Sequence, residues 1–367
     1  MIIVKAPNRY INEPDILSKS GEWIVAIGKE ALLITGSKAL EAVKSTLLPS
    51  LASAGVSYTL QFYNGTVTRD EIEGLSQQAE NGKFDVIIGI GGGKVLDISK
   101  AVGDKTGLPV VTVPTIAATC AAWSALTVLY DEQGRSTGYL PLKQSPVLAL
   151  ADTRLLAAAP KRYLASGIGD TIVKWYETIV NVKEDPHSID VRIGTNTAKL
   201  ALEILQQHGP IAYQEADHGE VTPSFIETTN AILLLAGLVG SLSGQSSRAG
   251  IAHAIHSSLT HFPETQNTLH GEKVAFGLLA QVVLEGKSDQ EIQELGELLH
   301  VFGLPITLQQ LGITEDAASV AKRIAKGVIL PEPAVSQLAF EVNEATLAHA
   351  IERTDQLGRA ITQKVLV

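Results

Sequence analysis

Five short β-type runs in the first 150 residues alternate with stretches of helical character, and this alternation limits the fold more than any other feature of the chain. The runs are Ala31–Thr35, Val56–Tyr63, Asp85–Ile90, Pro109–Val113 and Pro146–Leu150, with helices expected over Arg69–Asn81 and Lys94–Thr106. Runs that are apolar throughout suit strands covered on both faces, the condition of a mainly parallel sheet. After about residue 160 the pattern changes. Segments 164–182, 190–208, 223–261, 271–285, 289–302 and 315–326 carry helical periodicity, and β-branched runs become scarce. A chain of 367 residues exceeds what one hydrophobic core usually serves. Two domains are therefore expected: an α/β domain over 1–160 and a helical domain over 161–367, meeting near Pro160.

A formal charge of -10 offers no basic footprint for nucleic acid, which is set aside as a partner. The single cysteine, Cys120, allows no internal disulfide and fits a reducing compartment. The N-terminal residues show no basic head followed by a long apolar stretch. The most apolar segment, Ala231–Gly240, is shorter than the roughly 20 residues a bilayer requires. The expectation is a cytoplasmic protein acting on a small molecule, without a membrane partner.

The segment Val86-Ile-Ile-Gly-Ile-Gly-Gly-Gly-Lys-Val-Leu-Asp97 is strand, glycine turn and helix start. Residues Gly91, Gly92 and Gly93 let backbone N–H groups approach a phosphate, and a helix N-terminus favours negative charge. Lys94 stands where the third glycine of the dinucleotide fingerprint would fall, so a plain tight turn accounts for the pattern as well. Asp97 fits either a ligand contact or a favourable charge near the helix start.

Four of the nine histidines, His253, His256, His261 and His270, lie in one short stretch. His253 and His256 are three apart on a helical pattern and share a face. His270 follows Pro263, in or after a loop that can fold back. Two imidazoles and a remote carboxylate would leave the open position that a catalytic metal needs. The carboxylate candidate is Asp170 in Ser166-Gly-Ile-Gly-Asp170, where a helix N-cap is the ordinary alternative. His261 reads as surface or structural.

These segments together resemble the glycerol dehydrogenase and iron-containing alcohol dehydrogenase superfamily, over essentially the whole chain. Gly89-Ile-Gly-Gly-Gly-Lys-Val-Leu-Asp97 is similar to its nucleotide-binding turn. Pro114–Thr119 with Ser124–Tyr130 is similar to its second nucleotide segment. Gly167-Ile-Gly-Asp170, Ala252–His256 and Leu269–Gly277 are similar to its three metal-ligand motifs, in the same order. The resemblance implies an α/β nucleotide-binding domain followed by an all-α domain, the dehydroquinate synthase-like and glycerol dehydrogenase-like architecture, with the active site between them. It implies a divalent metal, Zn²⁺ or Fe²⁺, on Asp170, His253 and His270. Contacts to NAD or NADP are implied at Gly93, Lys94, Asp97, Thr115, Ser124, Leu126 and Tyr130; Gly91, Gly92 and Thr119 belong to the same segments. A homo-oligomer is implied as well.

Two positions depart from the glycerol dehydrogenases. Cys120 stands where they carry an aspartate that helps hold the polyol, and Pro114–Trp123 resembles instead the hydroxycarboxylate dehydrogenase branch. A neutral residue there removes repulsion against a substrate anion, although a small buried hydrophobe would also read as cysteine. Ser37, after the first expected strand, stands near where an aspartate would bond the ribose 2′-hydroxyl of NAD. Ser37 and Lys38 offer a hydroxyl and a cation, which favours NADP, although an exposed turn accepts the same pair. The expected reaction is hydride transfer between a nicotinamide and a small 2-oxo or 2-hydroxy acid, with His256 as a support or proton relay beside the metal. Glycerol or another polyol with NAD is the alternative. A dehydroquinate synthase-like lyase, a non-haem iron oxygenase and a nucleotide sensor are the rivals from other classes.

Overall fold

The computed structural model describes residues 2–181, 187–243 and 250–365. Its N-terminal half is a six-stranded sheet of β1 (Arg9–Glu13), β2 (Glu30–Thr35), β3 (Ser57–Phe62), β4 (Val86–Gly91), β5 (Val110–Pro114) and β6 (Leu148–Asp152). The spatial order is β1-β6-β5-β4-β2-β3, and every neighbouring pair is parallel. The five expected runs all fall on strands, shifted by up to two residues. Four of them are apolar throughout because both faces are covered: Leu32, Leu33, Ile34, Ile87, Ile88, Val111 and Val113 are fully enclosed, whereas the mixed run Val56–Tyr63 falls on the edge strand β3, which is largely exposed.

The order reverses between β2 and β4, where one strand leads outward to β3 and the other inward to β5. Such a switch point opens a crevice at the carboxyl ends of the strands. Two helices begin there, α1 (Ser37–Val43) after β2 and α2 (Gly93–Thr106) after β4.

Two strand features escape the sequence pattern. β1 is half-exposed and polar, and it forms by pairing with β6 nearly 140 residues away (Arg9 opposite Leu148). The hairpin Leu126–Tyr130 and Ser136–Pro141 is antiparallel and stands apart from the main sheet.

Beyond Pro160, which precedes α3 (Lys161–Ile179), the chain is helical. The principal helices are Ile189–Glu215, Pro223–Asn230 continuing to Ser241, α4 (Ile251–Leu259), α5 (His270–Leu284), Asp289–Val301, Ala317–Lys326 and Glu344–Val365. The single helix expected over 223–261 is corrected. A π-helical turn runs through it at Ala231–Leu235 without ending it, and at Leu242–Ser243 the chain leaves the helix to pair antiparallel with Ile3–Val4. Part of that expectation, 244–249, lies outside the described residues. The apolar pattern hid the break because a buried leucine such as Leu242 reads alike on a helix and on a strand.

The run Pro223–Ser241 is 19 residues of continuous helix, longer than the apolar segment Ala231–Gly240 suggested, and 56% of its most apolar window is buried inside the fold. Burial against neighbouring helices explains its composition. One hydrophobic core joins the two halves, with Leu96, Ala117 and Ala151 packed together with Ile168, Ile172, Ile232 and Val274.

Candidate metal and nucleotide site

The seam between the halves opens into a cleft of about 680 Å³. From the N-terminal side it is lined by Gly93, Lys94, Asp97, Thr119, Cys120, Ser124, Leu126 and Tyr130; from the helical side come Asp170, His253, His256 and His270. Of the residues singled out in the sequence, Gly91, Gly92, Thr115, Ser37 and Lys38 lie off its walls. Gly91 closes β4, where its carbonyl accepts the Thr115 N–H at 3.1 Å and ties the ends of β4 and β5 together. Gly92 caps α2, and Ser37 and Lys38 open α1 at the switch point.

Three helices deliver the candidate ligands. Asp170 sits in the middle of α3, not at its start, so the N-cap alternative does not hold. Its carboxylate is almost wholly buried, and Oδ1 lies 3.2 Å from His253 Nε2 on α4 and 3.3 Å from His270 Nε2 at the first residue of α5. One donor atom from each of the three lies within 4.8 Å of the others. A buried carboxylate oxygen and two imidazole nitrogens facing one point are the donor set of a catalytic Zn²⁺ or Fe²⁺.

Glycines make this convergence possible. A Cβ on Gly271 would stand 1.8 Å from the Ser166 carbonyl oxygen, and one on Gly277 would stand 2.5 Å from that of Ala252. The backbones of α3, α4 and α5 therefore approach more closely than any side chain permits. Arg162 spans α3 and α5 with two bonds to the Glu272 carboxylate, at 2.5 and 2.7 Å.

The far nitrogens of both histidines are held as well. His253 Nδ1–H donates to Glu177 Oε2 at 2.7 Å, and Glu177 Oε1 accepts the His253 backbone N–H at 3.0 Å. His270 Nδ1 lies 3.1 Å from His256 Nε2. Burial, with His270 and Lys273 nearby, holds the His256 pKa well below the ordinary imidazole range. Neutral His256 can accept the His270 Nδ1–H, which leaves the His270 Nε2 lone pair facing Asp170. Such outer partners fix the tautomer and ring orientation of metal-binding imidazoles.

Charge is concentrated here. Burial alone would raise the Asp170 carboxyl, but Lys174, helped by His253 and His270, holds it well below the usual carboxylate range. Burial would likewise lower His253, yet Glu177 overcomes it and raises the ring to about 9. The Lys174 ammonium is 3.1 Å from Asp170 Oδ1 and 3.5 Å from His253 Nε2. A cation thus already stands beside the point where the donor atoms converge. The buried carboxylates of Asp170 and Glu177 supply the negative charge that a divalent ion needs there.

Lys174, Glu177 and Lys273 were not singled out in the sequence. Asp170, Lys174 and Glu177 fall at i, i+4 and i+7 of one helix, a periodicity that could have exposed them. Lys273 donates to Thr265 O, Thr268 O and Thr268 Oγ1 at 3.2, 2.7 and 2.9 Å, which folds the loop before His270 back onto α5. Burial lowers its pKa to about 8. Replacing Glu177 by Gln is expected to weaken divalent-metal affinity about 10- to 100-fold. Competition against a fluorescent chelator measures this; unchanged affinity would mean that Glu177 merely packs against His253.

Asp97 takes a role that neither sequence alternative described. Its Oδ1 pairs with Lys100 at 2.9 Å and its Oδ2 accepts the Val128 N–H at 3.1 Å. Lys100 also donates to Ser124 O, Ser124 Oγ and Leu126 O. Together they fasten the hairpin to α2, one wall of the cleft. Lys94 lies over the Tyr130 ring at 5.4 Å. The Cys120 thiol is raised by burial and stays neutral. His261 is exposed.

The comparisons with known proteins agree with this geometry. The model of the iron-containing alcohol dehydrogenases matches residues 7–153. A glycolaldehyde reductase of Halobacterium salinarum is 33% identical over 366 residues, 99% of either chain. The chain belongs to the iron-containing alcohol dehydrogenase family. A glycerol dehydrogenase of Pseudomonas putida is 35% identical over 97% of this chain and 98% of its own. Hydroxycarboxylate dehydrogenase A of Escherichia coli is 31% identical over 96% and 97%. The crystal structure of a probable glycerol dehydrogenase from Sinorhizobium meliloti superposes with a TM-score of 0.87 at 30% identity, covering 97% of this chain and 99% of that one. As an iron-containing alcohol dehydrogenase, the protein is a metal-dependent, NAD(P)-linked oxidoreductase acting on a small molecule. The lyase, oxygenase and sensor alternatives give way to hydride transfer.

Proposed function

We propose that this dehydrogenase interconverts short 2-oxo acids and 2-hydroxy acids, with NADP(H) as the preferred nicotinamide. The observation that carries this is Cys120. It lines the cleft with Asp170, His253 and His270, and it brings a neutral thiol to a position where the resemblance implies a polyol-holding carboxylate in glycerol dehydrogenases. An anionic substrate meets no opposing charge there.

In this reading Asp170, His253 and His270 hold the divalent ion, which when bound supplies Lewis acidity toward the substrate oxygen. Glu177 and His256 keep the two imidazoles in their ligand tautomers; His256 is thus a support and not a proton relay. The glycine turn and Lys94 receive the dinucleotide phosphates. Reduction moves a hydride from the nicotinamide to C2 of the oxo acid and a solvent proton to its oxygen. We also propose a homo-oligomer, which light scattering would read.

Absorbance of the reduced nicotinamide in metal-loaded protein, with 2-oxo acids offered one by one, tests the proposal. Oxidation of NADPH that stops on chelation supports it. Glycerol-dependent reduction of NAD without any 2-oxo acid turnover would replace it with polyol oxidation, the second reading, which the glycerol dehydrogenase relatives favour. Ser37→Asp is expected to lower kcat/KM for NADPH about tenfold or more relative to NADH, by like-charge repulsion of the 2′-phosphate. An unchanged ratio would remove Ser37 from cofactor selection.

A further inference from the structure

We propose that Lys174 is the carboxylate-binding residue of the substrate site, the side chain that selects a 2-oxo acid over a neutral ketone, aldehyde or polyol. This rests on the 2-oxo acid reading above and names the group that would enforce it. Lys174 lies one helical turn beyond Asp170 and faces the same cleft, with its side chain 17% exposed. In a 2-oxo acid the carboxylate is bonded directly to the reacting carbon. A cation that recognises it must therefore stand beside the ligand set, as Lys174 does.

Three other charged side chains on the cleft wall are committed elsewhere. Lys94 stands over Tyr130, Lys273 is bound by Thr265 and Thr268, and Asp97 is taken up by Lys100 and the Val128 N–H. Among the described residues the Lys174 ammonium bonds Asp170 Oδ1 and His253 Nε2, two atoms of the metal-binding set. The same carboxylate oxygen faces the Nε2 atoms of His253 and His270, so Lys174 shares it with the metal-binding set. An ammonium carries three protons and needs more acceptors than these. A divalent ion drawing on the same Asp170 oxygen would repel the ammonium, and an anion in the cleft becomes its natural partner. Cys120 lines the same cleft and brings no opposing charge to an anion there. A neutral polyol would leave the ammonium without its counter-charge, which discriminates against it.

The test pairs two substrates of one carbon skeleton, pyruvate and hydroxyacetone, in which CH₂OH replaces the carboxylate. Metal-loaded wild type and Lys174→Met are compared with the nicotinamide that the wild type uses. Lys174→Met is expected to lower kcat/KM for pyruvate about 100-fold, chiefly through KM, and to change hydroxyacetone by about threefold or less. Calorimetric titration of oxamate, a non-reacting anion of the same shape, into the metal- and nicotinamide-loaded protein should weaken in parallel. Lys174→Arg should restore most of the oxamate affinity, and bound metal should be equal in all three proteins. Equal loss on both substrates, unchanged oxamate affinity, or loss of metal in Lys174→Met would overturn the proposal while leaving a pyruvate-active wild type intact. A wild type inert to pyruvate and oxamate but active on glycerol overturns the 2-oxo acid reading, and this proposal with it.

Discussion

Replacing Asp170 by Asn is expected to abolish stoichiometric metal binding and to lower turnover about a thousandfold or more. The substitution keeps the shape and removes the charge on which the site is centred. One oxygen, Oδ1, faces Lys174 at 3.1 Å, His253 at 3.2 Å and His270 at 3.3 Å. A bound divalent ion contributes several kcal/mol to stabilising charge on a reacting oxygen, and each 1.36 kcal/mol is about tenfold in rate. Losing the ion therefore costs roughly three orders of magnitude. Nucleotide affinity should survive, because Gly93 and Lys94 line the opposite, N-terminal side of the cleft. Elemental analysis, single-turnover kinetics and nucleotide titration read the three quantities separately. A variant with one equivalent of metal and ordinary turnover would falsify the ligand assignment. His270→Ala should behave in the same way.

The second large effect is steric. Gly271→Ala is expected to destabilise the protein by about 3 kcal/mol and to reduce activity about 100-fold. An added Cβ would lie 1.8 Å from the Ser166 carbonyl oxygen and 2.6 Å from its carbon, both backbone atoms of α3. No rotamer change relieves that contact, so α5 must move away from α3 and carry His270 with it. A displacement of about 1 Å at a catalytic group is enough for a hundredfold loss. Gly74→Ala is the control: Gly74 lies inside the helix Arg69–Asn81 with nothing within 4 Å of the added atom. There the change should stabilise by about 0.5–1 kcal/mol, because alanine loses less backbone entropy on folding than glycine. Thermal unfolding monitored by circular dichroism compares them; a Gly271→Ala protein as stable as Gly74→Ala would show that the helices can separate at no cost.

The strands buried on both faces were legible from composition alone, since only apolar side chains survive in them. β1 and the hairpin were not, because half-exposed strands are held by partners far along the chain. Leu242 was misplaced for a related reason: burial fixed its polarity, while pairing with Ile3–Val4 fixed its conformation. The glycine turn, the histidine cluster and Asp170 could be named from motif and spacing. The helical spacing from Asp170 could have exposed Glu177, but its role could not be read, because its partner His253 is 76 residues away. Asp97, read as a residue for a ligand or a helix start, lines the cleft and also braces the hairpin through Lys100 and Val128, which no local pattern indicated.

The sequence by itself determined which side chains were available: a sheet of apolar strands, a phosphate-sized turn, and three donors in a fixed order. Those are properties of residue type and local spacing. Tertiary structure alone decided which nitrogen of each histidine faces Asp170, that Lys174 shares its oxygen, and that Gly271 sits against Ser166. These depend on helix backbones meeting at distances set by packing, and packing is a relation between segments that no local pattern carries.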